Sequence, residues 1–138
     1  MSACETTTKT RFEVRYGGMT LCCPLQVLVI DRPDGMADIL VSTVARLLQP
    51  AVCVTRVPAV EGARRVLASN EIDLVFLAPS AAEAAAQLRA AAGEARVIVV
   101  TDGGFRAALP AGVQTVRMPR QARQLKELVT WLARRYLT

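Results

Sequence analysis

The chain has no histidine and no Cys-x-x-Cys pair among its 138 residues. The missing histidine excludes Ser-His and Cys-His nucleophile pairs and phosphotransfer through histidine. The four cysteines stand at positions 4, 22, 23 and 53, and two of them are adjacent, so their spacing does not suit a zinc site. We therefore predict no metal site and expect reduced cysteines, with Cys53 in a core strand.

Long apolar runs and nucleotide-binding motifs are also missing. No run reaches the roughly 18 residues that a membrane-spanning helix needs, and the first ten residues contain no apolar segment of a signal peptide. Neither G-x-G-x-x-G nor G-x-x-x-x-G-K-[ST] occurs, which argues against dinucleotide and P-loop sites. We expect a soluble, cytoplasmic protein without membrane insertion and without a cofactor.

Aromatic residues are scarce at 4%, whereas hydrophobic residues make up 52% of the chain, enough for the core of one domain. The net charge is +5, and its distribution is uneven. Residues 1–116 carry eleven basic and eleven acidic groups, so the last 22 residues, with six basic groups and Glu127, hold the whole excess. The cationic surface is therefore predicted at the C-terminal end of the chain.

Short apolar strands alternate with helical patterns after residue 20. Strands are predicted at 25–30, 51–57, 73–78, 96–101 and 113–118, and helices at 34–50, 60–69, 80–93 and 120–137. Asp34 and Ser80 are the predicted N-caps, Glu83 fits a capping box, and Gly93 ends its helix. The apolar face of the first helix consists of Met36, Ile39, Leu40, Val44, Leu47 and Leu48.

This alternation predicts an α/β fold with a doubly wound, five-stranded parallel sheet covered by helices on both faces. Residues 21–138 are read as one domain. Residues 1–20 are read as an N-terminal extension, partly disordered or with a short extra strand, because 11–16 alternates apolar and polar residues.

The carboxyl ends of the predicted strands are the candidate ligand-binding positions, because parallel sheets bind ligands there. The segments "LQVLVIDRPD", "IDLVFLAP", "VIVVTD" and "VRMPRQARQLKELV" resemble, in order and spacing, the receiver domain of bacterial response regulators over roughly 25–137. The resemblance implies flavodoxin-like topology. Only "DGGFRAALPAG" separates the fourth and fifth strands, so we expect a shortened or missing fourth helix.

The resemblance also implies a degenerate phosphorylation site. The pair of acids that holds Mg²⁺ falls on Asp31 and Arg32, and the acceptor aspartate falls on Ala78, which has no nucleophilic atom. The hydroxyl position keeps Thr101, whereas the lysine position holds Met118 beside Pro119, which is expected to follow a cis bond. Phosphoryl transfer needs the nucleophile and the cation, so we predict no catalytic residue and a chain that is not an enzyme.

The last helix carries the predicted interaction surface. On a helical wheel Leu125, Leu128, Val129, Leu132 and Tyr136 face the sheet. Trp131 lies on the flank of that arc, near the basic residues Arg120, Arg123, Arg134 and Arg135. The alternative is a solvated basic face on which Trp131 folds against its neighbours.

Several functions remain open. The first is a phosphorylation-independent interaction or dimerisation module in bacterial signalling, with an acidic protein surface or a second copy as its partner. The second, suggested by the resemblance, is the localisation receiver domain of a ParA/MinD-like pilus-assembly ATPase. From other classes, a basic adaptor for nucleic acid and a small α/β enzyme built on Asp31 and Thr101 are the alternatives.

Overall fold

The computed structural model describes residues 14–16, 19–21, 25–102 and 109–136. In chain order the elements are β1 (Val14–Tyr16), β2 (Met19–Leu21), β3 (Leu25–Ile30), α1 (Met36–Leu47), β4 (Val52–Val57), α2 (Val60–Ser69), β5 (Leu74–Leu77), a 3₁₀ helix (Pro79–Ala84), α3 (Ala85–Ala91), β6 (Arg96–Thr101), β7 (Val113–Arg117) and α4 (Ala122–Tyr136).

Strands β3 to β7 form one parallel sheet in the order β4-β3-β5-β6-β7. The order reverses beside β3, so the sheet is doubly wound, as predicted, and has the flavodoxin-like arrangement. Four α-helices accompany the sheet in the described ranges. The predicted fold class is confirmed.

The core lies on both faces of the sheet. The side chains of β3 and β5 are all buried, which the continuous apolar runs predicted. One apolar cluster joins the sheet to α1 and α4, and a second joins it to α2 and α3. Cys53 is free, as expected, but β4 is an edge strand and the cysteine is only half-buried, so its predicted place in a core strand is wrong.

The N-terminal segment contains a short antiparallel pair. Strand β1 pairs with β2 in a register that sets Val14 opposite Leu21. The strand expected at 11–16 is present at its C-terminal half, and residues 11–13 lie outside the described residues. The second strand was not predicted, because three residues are too few to show an alternating pattern.

The helix predicted over 80–93 differs from the observed one. A 3₁₀ helix begins at Pro79, and the α-helix starts only at Ala85. Ser80 and Glu83 are exposed within the 3₁₀ segment, and no side chain caps either helix, so both capping predictions are wrong. Gly93 does follow the helix end in the left-handed region, at φ 62°.

The predicted apolar face of α1 is only partly buried. Leu40 and Val44 are in the core, whereas Ile39 and Leu47 are 45% and 56% exposed. The prediction that all six face inward is wrong for these two, because Ile39 lies at one edge of the apolar arc and Leu47 is the last residue of the helix.

The segment between β6 and β7 is described only in part. Asp102 and residues 109–112 are not helical, and residues 103–108 of the predicted short segment lie outside the described residues. None of the helices described is long and apolar enough to cross a membrane.

Candidate functional site

The strand register brings the predicted site positions to one edge of the sheet. Ile30 pairs with Leu77, and the backbone N–H of Ala78 donates to the carbonyl of Ile30 at 3.1 Å. Asp31 and Ala78 therefore leave two adjacent central strands side by side. Thr101 ends β6, the next strand, and its carbonyl accepts from the N–H of Met118 at 2.7 Å. The structure thus places Asp31, Ala78, Thr101 and Met118 at the same carboxyl edge.

Asp31 serves as a helix cap at this edge. Its Oδ2 accepts from the backbone N–H groups of Ala37 and Asp38, at 2.9 and 3.1 Å, in the first turn of α1. Its Oδ1 accepts from the N–H of Arg32 at 2.8 Å. These donors would otherwise be unpaired at a helix N-terminus, so the carboxylate stabilises the start of α1.

The loop before α1 is shaped around the Asp31 carboxylate. A Cβ at Gly35 would lie 2.3 Å from both oxygens of that carboxylate, so only glycine fits at this N-cap position. Asp34, predicted as the N-cap, has φ 63°, and its own N–H donates to Oδ2 of Asp38 at 3.0 Å. The capping prediction for Asp34 is therefore wrong, because Asp31, directly after β3, caps α1 instead.

A second carboxylate near this edge is also engaged by the protein. Asp38 Oδ1 accepts from Nε of Arg56 on β4 at 2.8 Å, and Nη2 of Arg56 donates to the Ser42 hydroxyl at 2.5 Å. The side chain of Arg32, by contrast, is exposed. Across the ranges that the structure describes, no ion pair joins Arg32 to Asp31 or Asp34.

The remaining edge positions are apolar or buried. Ala78 ends the buried run of β5 and is 5% exposed, and Thr101 is 8% exposed. Met118 and Pro119 pack toward α1 and α4, against Leu40 and Leu125. In the described part of the chain the cis peptide bond is Gln49–Pro50, so the cis bond expected before Pro119 is not found. Also within that part, no group of three His, Cys, Asp or Glu side chains could hold a metal ion.

The exposed face of α4 forms a second candidate site. Leu132 is buried, and Leu125, Leu128, Val129 and Tyr136 pack against the core, as the helical wheel predicted. Trp131 is 39% exposed, and its ring meets that of Tyr136 edge-on at 6.3 Å. The basic residues Arg120, Arg123, Lys126, Arg134 and Arg135 are all exposed.

Comparison with solved structures identifies the fold. A response regulator from Thermotoga maritima matches with a TM-score of 0.59 at 18% identity, over 83% of this chain and 99% of the other. A response regulator receiver domain protein from Bacillus halodurans matches at 0.53 and 19%, over 78% and 96%. The chain has the receiver fold. A response regulator of Burkholderia pseudomallei with a phosphorylated aspartic acid and a calcium ion also matches, at 0.52 and 16%, over 81% and 75%.

No protein-family model and no curated protein matches the sequence. The comparisons therefore show the receiver fold alone. What the carboxyl edge can do follows from the residues that this chain has there. Sequence reasoning missed the capping role of Asp31. The available signal was Gly35 just before the apolar-periodic segment, because a glycine at an N-cap leaves the first turn without a side-chain acceptor of its own.

Proposed function

We propose that the chain is a non-enzymatic pseudo-receiver that acts through protein–protein contact without phosphorylation. The observation that carries the proposal is the carboxyl edge of the sheet. Its central strand β5 leads into Ala78, which offers no nucleophile, and Asp31, at the end of the neighbouring strand β3, is held by three backbone N–H groups of its own chain. Arg32 adds a positive charge where a divalent cation would need a negative one.

The proposed role is in bacterial signalling, in the cytoplasm. The matched structures are response regulators or receiver domain proteins of similar fold, and one of them is described with a phosphorylated aspartic acid. This chain has Ala78 and Arg32 where the resemblance implies an acceptor aspartate and a metal-binding acid, and it keeps a core on both faces of the sheet. This combination favours a constant binding surface over a phosphorylation switch.

The proposed contact surface is the Trp131 flank of α4, with Arg134 and Arg135 about one turn beyond it. Arg120, which the helical wheel assigned to the same surface, lies before the start of α4, at a pocket with Leu40 and Leu125. An indole left 39% exposed beside arginines has the composition of an interface hot spot. The surrounding positive charge would select an acidic partner surface and make association weaker at high salt.

Affinity capture from the source cell tests this proposal. The wild-type chain and Trp131→Ala are immobilised side by side, each with and without prior treatment with a small phosphodonor and Mg²⁺. We expect a captured protein that is lost with Trp131→Ala and unaffected by the phosphodonor. Capture that requires the phosphodonor, or that is identical for both chains, would refute the proposal. Nuclease treatment separates protein partners from nucleic acid.

A further inference from the structure

The outer side of β4 is a sheet edge with no strand beside it among the described residues. Strand β4 is the first in the order of the five-stranded sheet, and the short β1–β2 pair forms a sheet of its own. The carbonyl of Val57 accepts from the N–H of Asp31 on the β3 side. Because the residues of a strand alternate in direction, the N–H and carbonyl groups of Val52, Val54 and Arg56 point away from β3. This edge therefore offers donors and acceptors to a further strand.

Strand β4 lacks the features by which proteins usually protect such an edge. Those features are proline, a bulge, a very short strand or a charge that repels a second strand. Strand β4 has six residues, VCVTRV, without proline or lysine, and it pairs with β3 in an uninterrupted register. Its one charged residue, Arg56, is paired with Asp38 of α1 and also donates to Ser42. The positive charge of the strand is therefore compensated within its own chain.

The opposite edge of the sheet, β7, is better protected. The N–H of Met118 donates to the carbonyl of Thr101 on the β6 side, so the backbone groups of Thr115 and Arg117 point outward. Both of these side chains are exposed. In the part of the chain that the structure describes, no ion pair holds Arg117. Of the two edges, β4 is therefore the one that suits another strand.

We propose that β4 pairs antiparallel with β4 of a second copy of this chain, which joins two five-stranded sheets into one continuous sheet. With the two-fold axis at Val54, this residue lies opposite its own copy, and Val52 lies opposite Arg56 of the second copy. In this register all the outward residues form hydrogen-bonded pairs. Each outward N–H of one chain then meets a carbonyl of the other.

The side chains of β4 suit this register. The two copies of Arg56 lie four positions apart along the paired strands, roughly 14 Å, which exceeds the screening length at physiological salt. On the α2 side of the sheet, Cys53 lies opposite Thr55 of the second copy, and both are small and uncharged. Strand β4 is thus complementary to itself in hydrogen bonding, charge and side-chain size. This self-complementarity identifies a second copy as the occupant of the edge.

The contact at β4 is separate from the Trp131 flank. Trp131 belongs to α4, which follows β7 at the opposite edge of the sheet. The proposal therefore stands independently of the function proposed above. One strand pair buries less surface than the roughly 1,600 Å² of a standard interface, so we expect a weak dimer with a Kd on the order of micromolar.

Amide hydrogen exchange followed by NMR tests the edge on the wild-type chain. We expect the N–H groups of Val52, Val54 and Arg56 to exchange at least about fivefold more slowly at about 1 mM protein than at about 20 µM. The outward N–H groups of Thr115 and Arg117 on β7 are the internal control, and their rates should not depend on concentration. Rates at β4 that are equal at both concentrations would overturn the proposal.

Val54→Pro tests the same edge by removing its central outward donor, at a position where an edge strand tolerates proline. In analytical ultracentrifugation the Kd of its dimer should be raised at least about tenfold. Thr115→Pro, at an outward position of β7, is the matched control and should dimerise like the wild-type chain, as should Trp131→Ala. A wild-type chain that stays monomeric at about 1 mM, a dimer that tolerates Val54→Pro in a folded variant, or a dimer lost with Trp131→Ala would contradict the proposal. If Val54→Pro does not fold, the amide exchange of the wild-type chain decides.

Discussion

At the scale of single residues, Asp31 is the position at the carboxyl edge of the sheet whose hydrogen bonds the structure describes in most detail. The same residue was predicted from the sequence as one half of a metal-holding pair, and the structure uses it to cap α1. The two roles have opposite effects on the free energy of unfolding. An acid held in reserve for a cation stands among other acids and costs stability, whereas a capping acid pairs with backbone donors and adds stability.

This difference leads to a prediction for Asp31→Asn. The substitution keeps the shape but turns a donor amide toward backbone N–H groups, so the free energy of unfolding should fall by about 1–2 kcal/mol. Asp34→Asn is the matched control, because asparagine also tolerates the left-handed conformation found there, and it should change stability by less than about 0.5 kcal/mol. Urea denaturation measures both. A more stable Asp31→Asn would show that Asp31 is a strained site acid.

Gly35→Ala tests the close packing of the loop against the same carboxylate. The added Cβ lies 2.3 Å from both oxygens of Asp31, so the substitution should displace the cap and destabilise the protein at least as much as Asp31→Asn. The double variant Gly35→Ala/Asp31→Ala should cost far less than the sum of the two single changes, because they disrupt one contact. Additive losses in denaturation would show that Gly35 is needed for another reason.

At the scale of elements, the helical wheel predicted the buried residues of α4 correctly and those of α1 only in part. In α4 the apolar positions form a narrow arc, and the wheel correctly separated buried Leu132 from exposed Trp131. In α1 the apolar positions cover a wider arc, and no sequence rule says which edge of that arc the sheet covers. In the structure Ile39, at one edge of that arc, and Leu47, the last residue of the helix, stay outside the core.

Neighbouring residues of α4 therefore make a sharp comparison of core and surface. Leu132→Ala should lower the free energy of unfolding by about 3 kcal/mol, because it opens a cavity among buried residues of α1 and the sheet. Trp131→Ala should cost about 1 kcal/mol or less, since its ring is 39% exposed and meets the ring of Tyr136 edge-on. Thermal or urea unfolding of the two variants decides the comparison. A loss for Trp131→Ala equal to that for Leu132→Ala would place Trp131 in the core and remove it from the interface.

Helix caps were the least predictable part of these elements. The sequence offers Asp34 and Ser80 at cap-like positions, and neither caps its helix. The first helix takes its cap from Asp31 across a loop, and the second segment begins at Pro79, which fits the first turn without a cap. Caps predicted from adjacent residues fail where a strand end supplies the acceptor.

At the scale of the whole molecule, the alternation of apolar strands and helices was enough to predict the sheet, its order class and its burial on both faces. The candidate site was predictable in position, because the ends of parallel strands must share an edge. That Ala78 leaves this edge without a phosphoacceptor stays a prediction. The pocket that Leu40 of α1 lines together with Pro119 and Leu125 was not predictable, since it depends on how segments from distant parts of the chain lie on one sheet face.

The same edge sets the limit for restoring phosphorylation. Ala78→Asp supplies a carboxylate but leaves Arg32 and Met118 in place of the second acid and the lysine. We expect no acyl phosphate from this single variant with a small phosphodonor and Mg²⁺, as read by intact-protein mass spectrometry. A phosphorylated product would show that the edge needs only the nucleophile.

Fluorine NMR with beryllofluoride and Mg²⁺ tests the central claim most directly, because this anion mimics a phosphorylated aspartate only where a carboxylate and a cation site are both present. The triple variant Arg32→Asp/Ala78→Asp/Met118→Lys, if folded, serves as the comparison chain. For the wild-type chain the account predicts the spectrum of free beryllofluoride alone, with no protein-bound resonance at any Mg²⁺ concentration. A bound resonance on the wild-type chain would contradict the account and show that this receiver fold keeps a working acceptor site.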